Sequence, residues 1–343
     1  MKRIIFFVAV SIFMISSNGF AKSCSLKNSF EWERVAPSEV GIDQSVVEKF
    51  TREITDSKVT SSIIVRSNRI VNEYYKNGYN AASLFPMHSV SKSVTSAIVG
   101  IAINQGYFNL DDPIVKFFPQ LENKRDSRFK KITIRDLLIN KSGLISTDTP
   151  QIWKKWRASD NWINFLFDRP LTFEPGKVFQ YSTGNTHLLS AIIRQTTGKT
   201  LEEYGNEVLF KPIGMASANF DVDPNGICDA GNGLNLTARD MARFGLLYLH
   251  SGVWCESQVV PSNWVSESVK IQTPGQARYG YQWWIRYFGK EQLFGFFAHG
   301  WQEQVIAVIP QKDLVITFSS NYPDNSKNAT YWRWISMIVD GTT

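Results

Sequence analysis

The sequence predicts an α+β fold in which one antiparallel sheet is built from both ends of the chain and a mainly helical stretch, roughly residues 105–230, is inserted between them. Two observations carry this prediction. Runs of β-branched and aromatic residues cluster near the start and the end of the chain, whereas the middle repeats its apolar residues at helical spacing. The composition agrees: 43% of the 343 residues are apolar, with 11 Trp and 23 Phe, which excludes a disordered or fibrous chain and supplies material for a large core. No internal repeat or low-complexity linker divides the sequence.

Taken in order, the first segment stands apart. Lys2 and Arg3 precede an apolar run from Ile4 to Ile15, and Gly19-Phe20-Ala21 offers small residues at −3 and −1. This reads as a cleaved secretory signal over residues 1–21, since a spanning helix needs about 20 apolar residues and this run is much shorter. A lipoprotein reading through Cys24 is disfavoured by Lys22 within the modification box. The expectation is therefore a periplasmic or secreted protein, residues 22–343, with no stable membrane insertion after cleavage.

Ser61–Arg66 and Ile70–Tyr75 read as a hairpin turning at Ser67-Asn68-Arg69. Ser89–Ile103 sets Val90, Val94, Ala97, Ile98 and Ile101 at helical spacing. Further helices are expected over Ile132–Asn140, His187–Thr196 and Leu236–Leu249. Three strands follow over Leu293–His299, Gln304–Ile309 and Leu314–Ser319, and Tyr331–Val339 reads as a closing helix.

The net charge of +6 is modest and scattered, apart from the stretch from Lys124 to Lys131, which holds its own Asp126. It reads as a solvated loop, and no nucleic-acid partner is expected. With 3 Cys and 4 His, no pair has zinc spacing, so no metal or other cofactor is expected. Export permits a bridge between Cys228 and Cys255, worth roughly 3 to 4 kcal/mol on a loop-entropy estimate. Cys24 is left without an obvious partner.

Two Ser-x-x-Lys tetrads occur. Ser127–Lys130 lies in the charged loop, where its lysine is solvated and cationic. Ser89-Val90-Ser91-Lys92 opens the longest apolar helix, which sets serine and lysine one turn apart on the same face. A serine hydroxyl needs a neighbouring base, and an ammonium is not one. Lys92 must lose roughly three pKa units to act near neutrality, about 4 kcal/mol, a shift that burial supplies. The bland alternative makes Ser89 a helix cap and lets Lys92 reach solvent.

The setting of this tetrad resembles the serine hydrolases of the β-lactamase and penicillin-binding superfamily, in particular class C-like esterases and 6-aminohexanoate-dimer hydrolases. The matching stretches are PMHSVSKSVTSAIVG around Ser89, LDDPIVKFFPQL from Leu110, ITIRDLLINKSGL from Ile132, EPGKVFQYSTGNTHLLSAII from Glu174, LFKPIGM from Leu209 and GLNLTARDMARFGLLYL from Gly233. The resemblance implies a β-lactamase-like fold, Ser89 as the acylated nucleophile, Lys92 as its base partner and Tyr181 as the tyrosine that relays the proton. It points to His299-Gly300-Trp301 as the third motif in place of Lys-Thr-Gly, followed by Gln302-Glu303-Gln304 where many relatives carry Gly-Gly-Gln. That change narrows the site or shifts an oxyanion donor. Ser159-Asp160-Asn161 and Lys141-Ser142-Gly143 spell motifs of class A enzymes in reversed order. They read instead as a cap for the helix containing Trp162 and as the end of the helix at Leu137-Leu138. His88 reads as a packing residue.

The function expected is an exported serine hydrolase that cleaves a small ester or amide through an acyl-enzyme. A non-catalytic ligand- or cell-wall-binding protein of the same fold is one alternative, and a β-lactamase or D-alanyl carboxypeptidase is another. The missing motif lysine weighs against a β-lactam, because that cation suits a substrate carboxylate. No Gly-x-Ser-x-Gly occurs, which argues against an α/β-hydrolase. Substrate identity and oligomeric state are not legible.

Overall fold

In the computed structural model, which describes residues 32–215, 217–322 and 328–343, the two ends of the chain meet in one sheet. Residues 1–21 and Cys24 lie outside the described residues. Helix α1 (Gln44–Thr55), capped by Asp43, leads into the hairpin β1 (Val59–Arg66) and β2 (Arg69–Tyr75), with left-handed Ser67 and Asn68 in the turn. A short strand, β3 (Leu84–Pro86), delivers the chain to α2 (Val90–Asn104). The middle is mainly helical: α3 (Ile134–Leu138), α4 (Pro150–Arg157), α5 (Trp162–Phe167), α6 (Thr183–Thr197) and α7 (Leu201–Gly205). Strands β4 (Asn219–Phe220) and β5 (Leu234–Thr237) form a small sheet with β3, and α8 (Ala238–Leu249) follows.

A two-residue hairpin, β6 (Val253–Trp254) and β7 (Ser257–Gln258), leads to α9 (Ser262–Ser268). The C-terminal strands are β8 (Trp284–Phe288), β9 (Leu293–Gly300), β10 (Gln304–Ile309) and β11 (Leu314–Ser320), closed by α10 (Asn328–Asp340). The main sheet runs β2-β1-β11-β10-β9-β8, antiparallel throughout, and the ends of the chain join where Ile64 pairs with Ile316 and Arg66 with Leu314.

Strand alternation assigns each side chain to one of two layers. Ile63, Val65, Phe296, Ala298, Ile306, Val308 and Val315 face α2 and α8 in the larger core. Ile64, Phe297, Val305, Ala307, Ile316 and Phe318 face α1 and α10 in the smaller one. Helix α2 lies wholly inside the larger core: every residue from Val90 to Ala102 is buried. Its polar side chains therefore bond inward, Ser93 donating to the Gln282 carbonyl at 2.6 Å and Thr95 to the Ala230 carbonyl at 2.9 Å.

Three local expectations are corrected. The cap of α5 is Asn161, whose Oδ1 accepts from the Asn164 N–H at 2.8 Å, while Ser159 bonds back to the Trp156 carbonyl. Helix α3 stops at left-handed Asn140, ahead of Ser142-Gly143. The Cys228–Cys255 bridge does not form. Cys228 is a free, buried thiol in the loop that pairs with Val222, whereas Cys255 is disulfide-bonded from the β6–β7 turn. The Lys124–Lys131 stretch is a surface segment whose cations pair with Asp168, Asp126, Glu174 and Glu122.

Candidate active site

Helix α2 begins at a backbone corner. Met87 donates its N–H to the Leu234 carbonyl at 2.8 Å, fixing the chain to β5, and His88 then takes a left-handed φ of 47° before Ser89 enters the helical region. The Ser89 hydroxyl does not cap the helix. It accepts from Lys92 Nζ at 2.8 Å. Lys92 does not reach solvent, being only 1% exposed.

The three protons of the Lys92 ammonium have three acceptors: Ser89 Oγ at 2.8 Å, Thr183 Oγ1 at 2.8 Å and the Gly231 carbonyl at 2.7 Å. Burial pushes Lys92 down to about 8, with the carboxylates of Asp148 and Asp229 opposing that shift. Gly231 is required for the approach, since a Cβ there would stand 2.6 Å from Thr183 Cγ2. Thr183 is the first residue of α6. Its hydroxyl donates to Asp148 Oδ1 at 2.9 Å, and its N–H to Asp148 Oδ2 at 2.6 Å. Asp148 thus caps α6 from outside and holds the threonine that faces Lys92. Asp229 is fully buried and paired with Arg157, whose guanidinium lies 4.1 Å from the centroid of the Trp162 ring.

Tyr181 precedes α6, and its ring centroid is 4.9 Å from Lys92 Nζ. Asn140 holds this segment by accepting from the Gln180 N–H on its carbonyl and from the Ser182 N–H on its side chain, at 2.8 and 3.1 Å. Burial, then the Asp148 carboxylate, raises the Tyr181 hydroxyl far above its ordinary value, and the Ser89 hydroxyl acts weakly in the other direction. The ring stacks on Trp284 at 5.6 Å and meets Tyr279 edge-on at 6.0 Å.

The structure brings Ser89, Lys92 and Tyr181 together. Of the third motif, Gly300 and Trp301 reach this corner. A Cβ on Gly300 would stand 2.3 Å from the Met87 carbonyl, and the half-exposed Trp301 packs edge-on against His88 at 5.2 Å. His299 does not. Its place on β9 turns it to the opposite face of the sheet, where Nε2 lies 3.1 Å from Glu303 Oε2 and 3.0 Å from the Tyr331 hydroxyl. The expectation that His299 stands where a motif lysine would meet substrate is corrected on this ground, because β9 alternates and Ala298 and Gly300 hold the Ser89 side. His88 packs, and burial lowers its pKa.

Sequence reasoning missed Thr183, Asp148, Asp229 and Gly231. Thr183 was within sight, two residues after Tyr181 in the same matching stretch. Asp148, before Pro150 at the start of α4, carries only the signal of a helix beginning.

The family is decided by comparison with known proteins. A model of the Beta-lactamase family matches residues 50–336. The chain belongs to the beta-lactamase family. Among curated relatives, the 6-aminohexanoate-dimer hydrolase of Paenarthrobacter ureafaciens is 27% identical over 302 residues, covering 81% of this chain and 76% of the relative. A solved structure assigned as a 6-aminohexanoate-dimer hydrolase from Bacillus anthracis is 28% identical, covers 83% of this chain and 79% of its own, and superposes with a TM-score of 0.72. A penicillin-binding protein from Bacillus halodurans shares the fold, with a TM-score of 0.63 at 16% identity over 81% of this chain and 94% of its own. Kinship to hydrolases supports hydrolase activity for this beta-lactamase-family protein, and the fold is the one that the penicillin-binding protein shares.

Proposed function

We propose that the protein hydrolyses a small ester or linear amide through an acyl-enzyme on Ser89. The observation that carries this reading is a lysine only 1% exposed whose Nζ is 2.8 Å from the serine oxygen and whose pKa burial lowers to about 8. Neutral Lys92 takes the Ser89 proton as Oγ attacks the carbonyl carbon. Tyr181, held as a phenol by burial, does not serve as the resting base. It hands a proton to the leaving alcohol or amine and regains one from Lys92. Water then attacks the acyl carbon by the reverse route, returning the proton to Ser89. The Ser89 N–H lies at the start of α2, where the helix dipole favours a developing oxyanion. Among the described residues neither this N–H nor that of Gln302 has a hydrogen-bond acceptor, and the two are the proposed oxyanion donors.

Substrate without a carboxylate beside the scissile bond is favoured, because the charges that act on Lys92 are two carboxylates and His299 faces away. Aromatic surfaces at Tyr181–Trp284 and at Trp301 suit an apolar acyl or leaving group. The names of the relatives add linear amides of the aminohexanoate type to the candidates. Export belongs to the same proposal, supported by the leader-like residues 1–21 and by the disulfide at Cys255.

The test is turnover of p-nitrophenyl esters, an aminohexanoate dimer and nitrocefin. Neutral esters are expected to be hydrolysed fastest and nitrocefin slowest, and Lys92→Met is expected to lose roughly 10²- to 10⁴-fold in acylation. Near-normal turnover in Lys92→Met, or nitrocefin as the best substrate, contradicts the reading.

A further inference from the structure

The connection from β9 to β10 is built in an unexpected way. Gln302 and Glu303 adopt left-handed φ values of 63° and 66°, a conformation that costs an L side chain energy and that glycine takes freely. This strained turn borders the candidate site. Its first anchor, Gly300, is pressed against the Met87 carbonyl and His88, and Trp301 rests on His88, the residue before Ser89.

What holds the turn lies on the other side of the sheet. The Glu303 side chain is 2% exposed and reaches under the turn to His299 Nε2 at 3.1 Å. The same nitrogen meets the Tyr331 hydroxyl of α10 at 3.0 Å, and the Glu303 carboxylate also acts on that phenol, whose pKa burial first and then Glu303 raise. On the backbone, the Ser320 hydroxyl of β11 donates to the Gln302 carbonyl and, at 3.3 Å, to the Glu303 carbonyl. Two consecutive strained residues are thus tied down by one buried carboxylate and one serine.

We propose that His299, Glu303 and Tyr331 are positioning residues: a clamp on the far face of the sheet that fixes the 301–303 turn, and with it the Gln302 amide and the Trp301 ring, beside Ser89. The clamp replaces the conformational freedom of glycine with a side-chain lock, so α10 and the far core take part in setting the geometry of the site. This rests on the reading of Ser89 as the acylated nucleophile. None of the three side chains touches substrate.

The experiment compares Glu303→Ala, Glu303→Gly and Glu303→Gln in the full chain with a neutral p-nitrophenyl ester. Each folded, active-site-titrated variant is followed by kcat, KM and hydrogen exchange of the paired strand residues that flank the turn, Gly300 with Gln304 and His299 with Val305. Glu303→Ala, which keeps the strain and removes the lock, is expected to lose roughly 10- to 100-fold in kcat with KM changed less than about threefold, the scale expected of an ångström-level misplacement. Exchange at these flanking pairs is expected to rise. Glu303→Gly, which needs no lock to hold a positive φ, recovers several-fold in kcat over the alanine variant, and Glu303→Gln falls between. A merely structural role predicts instead that alanine and glycine variants fall together, in proportion to their lost stability, with kcat per titrated site unchanged; that result overturns the clamp. Exchange reads the turn without any chemistry at Ser89. Faster exchange in Glu303→Ala combined with full ester turnover in Ser89→Ala sinks the nucleophile and leaves the clamp, whereas unchanged exchange sinks the clamp alone.

Discussion

Thr183 stands between an ammonium and a carboxylate, accepting from Lys92 and donating to Asp148, and Asp148 is the first of the two carboxylates, with Asp229, that oppose the loss of the lysine proton. The direction of its effect is checkable. Activity needs neutral Lys92, so kcat/KM for an uncharged ester is expected to rise with pH through about 8 and then level. Asp148 raises that pKa, so Asp148→Asn is expected to move the rising limb to lower pH while the amide keeps an acceptor for Thr183. A limb that stays in place or moves to higher pH contradicts the role. Ser89 and Lys92 were legible in the sequence because one helical turn forces them together. Asp148 and Asp229 were not, because their approach to Lys92 depends on loops separated from it by 56 and 137 positions in the chain.

At the scale of elements, Gly100 shows why α2 is placed where it is. In an ordinary helix interior, alanine outdoes glycine by about 1 kcal/mol. At Gly100, however, a Cβ would stand 2.3 Å from the Trp264 ring of α9, so close packing outweighs propensity. Gly100→Ala is expected to destabilise by about 1–3 kcal/mol, read as a lowered midpoint in urea, and an unchanged or raised midpoint contradicts the packing account. The strands β9, β10 and β11 were legible from their β-branched and aromatic runs, and so was the hairpin β1–β2. Which face each side chain takes was not. The period of two places Phe297 and His299 together and Ala298 with Gly300, but only the packed helices say that the Ala298 face carries Ser89. Strand β8 was missed because its aromatic residues, Trp284 and Phe288 among them, read equally well as core without a strand.

For the whole molecule, joining β1 to β11 lets the far ends of the chain enclose a site made by its middle. The smaller core draws α1 from the beginning and α10 from the end against one face, while the larger core surrounds α2. Cysteine chemistry follows this layout. Under denaturing conditions without reductant Cys228 is expected to be alkylated and Cys255 protected, and in the native protein Cys228 is expected to react slowly, since burial shields its thiol and raises its pKa. Peptide mapping that found Cys228 and Cys255 linked contradicts this assignment. Covalent chemistry on Ser89 is read out by intact mass spectrometry of acid-quenched enzyme during turnover of a p-nitrophenyl ester. A transient adduct equal to the acyl group is expected, mapped to the peptide containing Ser89 and absent in Ser89→Ala. Undiminished hydrolysis by Ser89→Ala, or an adduct on another residue, would contradict acylation of Ser89.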